Sequence, residues 1–152
     1  MMEKILFICH GNICRSPMAE FVMKALVRAH GMDGEFHIES AATSTEEIGN
    51  PVYPPAKRIL SQSGIPCDPQ KRARQVTKAD YARFDHIVCM EKYNVRNLMR
   101  IIGSDPEGKV TRLLDWTGMP GDVADPWYTG DFQLALDDIL SGCEAVFRKL
   151  CS

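Results

Sequence analysis

The chain has 152 residues, 18 Lys and Arg against 20 Asp and Glu, and a formal net charge of −2. A near-neutral chain without a basic run gives no electrostatic footing for nucleic acid or an anionic membrane surface as partner. Its first apolar stretch is only a strand long, too short for a signal or spanning segment. A chain of this length buries roughly 70% of its unfolded surface, enough for a single domain over residues 1–152 without metal or disulfide staples.

Ile5-Leu6-Phe7-Ile8 is an uninterrupted apolar run, the pattern of a central parallel strand covered on both faces. Cys9 falls at its carboxyl end, and Cys9-His10-Gly11-Asn12-Ile13-Cys14-Arg15 leads into Ser16-Pro17. Ser as N-cap and Pro at the first helical position predict a helix over residues 17–30, with Met18, Phe21, Val22, Ala25, Leu26 and Ala29 at helical spacing. Such a strand-to-helix turn directs backbone N–H groups and the positive end of a helix at its centre, a cradle for an oxyanion. Gly11 and Asn12 tolerate left-handed backbone, and Arg15 supplies a planar fork matched to two phosphate oxygens. Cys9 is expected to react there as a thiolate.

Downstream, residues 35–41 alternate as a second strand, and residues 43–55 form a loop containing Pro and Gly. Residues 56–63 read as a helix ended by Gly64, and Thr77 caps another. Residues 86–90 predict a third strand, 94–102 a helix stopped by Gly103, and 110–114 a fourth strand. Residues 115–131 carry neither periodicity, and a loop that long is usually functional or disordered. The last helix, over residues 132–150, has Leu136, Ile139, Cys143, Val146 and Phe147 on its apolar face. Strands alternating with helices predict an α/β, three-layer sandwich around a parallel sheet, with the ligand at the strands' carboxyl ends.

The six cysteines, Cys9, Cys14, Cys67, Cys89, Cys143 and Cys151, form no C-x-x-C pair, which points to reduced thiols and a cytoplasmic location. A zinc site on Cys9, His10 and Cys14 lacks further ligands at regular spacing, so neither metal nor cofactor is expected.

Cys9 to Arg15 with Ser16-Pro17 resembles the C-x5-R-S-P signature of the low-molecular-weight protein tyrosine phosphatase family. Asp125-Pro126-Trp127-Tyr128 is similar to that family's late Asp-Pro-aromatic-aromatic element, so the likeness spans nearly the whole chain. The resemblance implies a four-stranded sheet in the order 2-1-3-4 and hydrolysis of phosphotyrosine and small aryl phosphates through a phosphocysteine intermediate, without metal. Tyrosine-phosphorylated proteins or peptides are then the partners, with phosphate or other oxyanions in the loop. The oligomeric state is left open.

It implies Cys9 as nucleophile, Arg15 as phosphate clamp and Asp125 as the acid that protonates the leaving oxygen and then the base for water. His10, Gly11, Asn12, Ile13, Cys14 and Ser16 line or brace the phosphate, and Trp127 and Tyr128 wall the phenyl slot. It also implies a reversible Cys9–Cys14 disulfide on oxidation. Two departures stand out. Glu46-Glu47 occupies the place of a Trp-Asn pair, with Tyr53 near enough in sequence to supply the missing aromatic. Lys71 or Arg72 stands where the family has His.

The same cradle serves thioredoxin-linked arsenate reductases, but no cysteine follows Cys89 within residues 90–100 to continue their relay. Protein arginine phosphatases tend to carry Thr where this chain has Ile13, and an apolar residue there suits a phenyl ring better than a guanidinium. A phosphopeptide-binding module without turnover is the non-enzyme alternative, opposed by the joint presence of Cys9, Arg15 and Asp125.

Overall fold

The computed structural model describes residues 2–151. Four parallel strands, β1 (Glu3–Cys9), β2 (Phe36–Ala42), β3 (His86–Cys89) and β4 (Val110–Arg112), form one sheet in the order β2-β1-β3-β4. Six helices cover it: α1 (Arg15–Ala29), α2 (Pro54–Gln62), α3 (Lys78–Arg83), α4 (Lys92–Ile102), α5 (Pro126–Thr129) and α6 (Phe132–Leu150). The α/β sandwich and the strand order are as expected.

The apolar run of β1 is shared between two cores because successive side chains leave a strand on opposite faces. Ile5, Phe7 and Cys9 join Met18 and Val22 of α1 and Ile139 and Val146 of α6. Leu6 and Ile8 join Phe84, Leu98 and Ile102 on the other face. Register places Cys9 opposite Ala42 and Ile8 opposite Cys89, so the end of β1 has neighbours on both sides.

Several boundaries differ from the sequence reading. α1 begins at Arg15, with Cys14 at the N-cap position making no side-chain cap; Ser16 is inside the first turn, and its hydroxyl is engaged by Asn12 instead. Pro17 remains within that turn, where a missing N–H costs nothing. α2 starts at Pro54 for the same reason. α4 starts two residues before Asn94, whose Oδ1 accepts from the N–H groups of Met90 and Glu91 and fastens the end of β3 to the helix.

The fourth strand is cut short at Arg112, and residues 113–116 coil into a 3-10 turn that delivers Leu113 into the core. Leu113 fits because α6 offers Gly142 there: a Cβ on residue 142 would lie 2.4 Å from Leu113 Cγ. Ala at this position gains about 1 kcal/mol of helix propensity but overpacks a closed core at about 1–3 kcal/mol. With three Leu113 atoms inside 3.0 Å the cost falls at the upper end of that range, and Gly142→Ala is expected to lower stability by about 2 kcal/mol in urea denaturation; an unchanged or higher midpoint would show that Leu113 yields.

The 115–131 stretch is also more ordered than its lack of periodicity predicts. Asp125 caps the one-turn helix α5 by accepting from Trp127 N–H at 3.0 Å, with Pro126 at the first position. Gly130, at φ 72°, turns the chain into α6, and Asp131 caps that helix through Leu134 N–H.

Candidate active site

At the carboxyl end of β1 a pocket of about 360 Å³ is lined by Cys9, His10, Gly11, Ile13, Cys14, Arg15, Glu46, Glu47, Asp125, Trp127 and Tyr128. The early C-x5-R loop and the late Asp-Pro-Trp-Tyr element, over a hundred residues apart in sequence, thus face one cavity. Asn12 and Ser16, also expected at the site, lie behind it as fully buried braces.

Three groups converge on the Cys9 sulfur. Ser16 Oγ lies 2.9 Å from it, and the backbone N–H groups of Asn12 and Ser16 point to it at 3.3 and 3.4 Å. At the neighbouring Cys14, burial and the proximity of Cys9 push the thiol up to about 12, so it is a neutral thiol at physiological pH.

Asn12 is the one non-glycine residue with positive φ (59°) among the described residues. The expectation of left-handed backbone at Gly11 is corrected, since Gly11 is not in that region; a Cβ there would meet Glu47 Cγ at 3.4 Å, an ordinary contact. Asn12 keeps its conformation through three side-chain bonds. Nδ2 donates to Ser16 Oγ and Ser40 Oγ, at 2.8 and 2.9 Å, and Oδ1 accepts from Arg74 N–H.

That bracing extends inward through Ser40 and Glu20, which sequence reasoning does not place at the site, and through Lys71, one of the two residues read in place of the family's His. Ser40 donates to the buried Glu20, and Lys71 donates to the Ser40 carbonyl at 3.0 Å while lying 3.5 Å from Glu20. Burial lowers the basicity of Lys71, opposed by Glu20. Arg74 in turn forms a two-pronged pair with Asp80. Glu20 carries a usable signal, a carboxylate one turn after Ser16 on the face that otherwise packs inward.

Arg15 is 2% exposed. Its Nη1 donates to Glu91 Oε2 at 2.5 Å and to the Val123 carbonyl at 2.9 Å, and Nη2 donates to Asp125 Oδ2 at 3.3 Å. Burial works against its charge, but Cys9, Asp125 and Glu91 outweigh that and hold it firmly protonated. Sequence reasoning misses Glu91, although its place two residues beyond β3, the strand beside β1, puts it among groups that face a switch-point ligand.

The aromatic walls are partly rearranged. Trp127 and Tyr128 line the pocket as expected, and Glu46 and Glu47 occupy its rim, Glu46 paired with His10 at 3.1 Å. Tyr53 does not replace the missing aromatic on that rim: it is outside the pocket lining, and its ring lies 4.8 Å from Trp127, on the side of the Asp-Pro loop. Among the described residues no group of three His, Cys, Asp or Glu could hold a metal ion, and no helix is long and apolar enough to cross a membrane.

The family model for low molecular weight phosphotyrosine protein phosphatase matches residues 4–152. The chain is 37% identical over 151 residues to the low molecular weight protein-tyrosine-phosphatase YfkJ of Bacillus subtilis, covering 98% of this chain and 96% of that one. It is 35% identical to the low molecular weight phosphotyrosine protein phosphatase of Rattus norvegicus, covering 97% and 95%. The crystal structure of YfkJ superposes with a TM-score of 0.95 over 99% of this chain and 96% of that one. A drosophila arginine phosphatase superposes with a TM-score of 0.88 at 27% identity, covering 98% of each chain. With the fold, the cradle and the Asp-Pro loop in place, these likenesses show that the chain belongs to the low molecular weight phosphotyrosine protein phosphatase family.

Proposed function

We propose that this chain acts as one domain and is a metal-independent phosphotyrosine phosphatase of a reducing, cytoplasmic setting. The observation that carries the reading is Arg15, which joins the cradle around Cys9 to the carboxylate of Asp125 through one buried guanidinium.

In the first step Cys9 sulfur attacks phosphorus, and the bond from phosphorus to the tyrosyl oxygen breaks. Asp125, protonated, gives its proton to that oxygen, so a phenol leaves rather than a phenolate. Arg15 and the amides of residues 10–16 hold the equatorial oxygens, whose charge is greatest in the transition state. In the second step water attacks the phosphocysteine, Asp125 takes a proton from it, and the sulfur–phosphorus bond breaks to release phosphate. Ser16 Oγ, within hydrogen-bond distance of Cys9, stabilises the departing sulfur.

Ile13 at the pocket wall favours an aryl ring over a guanidinium. Phosphotyrosine, phosphoarginine and arsenate, offered separately to the purified protein, test the assignment. Phosphotyrosine is expected to have the highest kcat/KM, and preference for phosphoarginine or reduction of arsenate would replace the reading. Binding of phosphotyrosine peptide without phosphate release would make the chain a binding module.

A further inference from the structure

Tyr53 touches three parts of the site that lie far apart in sequence. Its backbone N–H donates to the Ile13 carbonyl at 2.9 Å, fastening it to the cradle loop. Its half-buried side chain packs on the small cluster of Ile13, Cys14 and Ala73. The ring also lies 4.8 Å from Trp127, tilted by 49°, and 6.1 Å from Phe132 at the start of α6. Tyr53 itself is set on a stiff element, the N-cap position of α2 followed by Pro54 and Pro55.

Trp127 is the residue whose N–H holds Asp125 Oδ1, at 3.0 Å. The other carboxylate oxygen is held by Arg15 Nη2. Phosphate oxygens seated in the cradle draw on the same guanidinium, so they compete with that second tether. The Tyr53–Trp127 contact uses no donor that the phosphate needs. Tyr53 is also outside the pocket lining, so its influence on the reaction passes through the lining residues it touches, Trp127 on one side and Ile13 and Cys14 on the other.

We propose that Tyr53 is a positioning residue for the proton donor: its ring fixes Trp127, and through the Trp127 N–H the carboxyl of Asp125, relative to Cys9. The inference rests on the proton-donor role proposed for Asp125. Its signature is selective, because misplacing the acid harms substrates in proportion to how much their leaving oxygen needs a proton.

The test compares wild type, Tyr53→Phe and Tyr53→Leu on phosphotyrosine and on p-nitrophenyl phosphate, whose leaving group is stable as the anion, with inhibition by inorganic phosphate as a probe of the cradle. Tyr53→Leu is expected to lower kcat/KM, which covers only the steps through phosphoryl transfer to Cys9, about tenfold for phosphotyrosine and less than about threefold for p-nitrophenyl phosphate, with phosphate inhibition unchanged. Tyr53→Phe is expected to behave as wild type. Equal losses on both substrates, or phosphate inhibition weakened in parallel, would overturn the proposal by placing Tyr53 in support of the cradle. If Tyr53→Leu fails to fold, Trp127→Leu must show the same selective loss, and its absence there overturns the proposal equally. A wild-type protein that hydrolyses neither ester would instead bring down the phosphatase reading.

Discussion

Cys9→Ser is expected to abolish turnover of every aryl phosphate, by about 10⁵-fold or more, the order of loss when a covalent nucleophile is removed. A serine hydroxyl needs a base to become a nucleophile, and the histidine that lines the pocket, His10, is turned to Glu46 at the rim. Binding of inorganic phosphate should persist, because Arg15 and the loop amides remain. Two readouts separate chemistry from binding: phosphate release over hours, and phosphate affinity by calorimetry. Acid quench of wild type during turnover should trap one phosphoryl group on Cys9. Sustained hydrolysis by the serine variant would sink the nucleophile assignment.

The second large effect is expected at Asp125. Asn keeps the size and can still accept from Trp127 N–H, so the cap of α5 is retained, but it has no proton to give. The kcat/KM for phosphotyrosine, which covers the steps through phosphoryl transfer to Cys9, should fall by about 10²- to 10⁴-fold, whereas that for p-nitrophenyl phosphate should lose much less; the later hydrolysis of the phosphocysteine is common to both. The ratio of the two losses is the decisive number, since it cancels any general damage. A common loss on both esters would mean that Asp125 serves the fold or Arg15 rather than the leaving group. Its two oxygens do have such structural partners, Trp127 and Arg15, which is why the conservative amide is the informative replacement.

Features written in local chain chemistry are legible in the sequence itself. The strand ending at Cys9, the turn with Asn12 and the long helix from Phe132 each depend on neighbours within a few turns, and the sheet order comes with the family likeness. What stays hidden depends on distance along the chain. Glu91 reaches Arg15 across 76 positions, Arg74 reaches Asn12 across 62, and Ser40 reaches Asn12 across 28. The local pattern of Ser40 does not separate a brace from a solvated side chain, and that of Glu91 marks only a place near the strand ends, not a partner. Sequence reasoning misplaces the helix start at Arg15 for a related reason, because the hydroxyl that ordinarily caps a helix is used at Ser16 to hold Asn12 and the sulfur.

Arg15 also sets an order of events in biosynthesis. Its partners Val123 and Asp125 follow it by 108 and 110 positions, which at ~5–20 residues per second is on the order of ten seconds of synthesis. For that interval the nascent chain carries the signature loop without the clamp that orients its arginine. A chain truncated before Val123 would display every residue of the loop signature while lacking two of the three partners that hold Arg15.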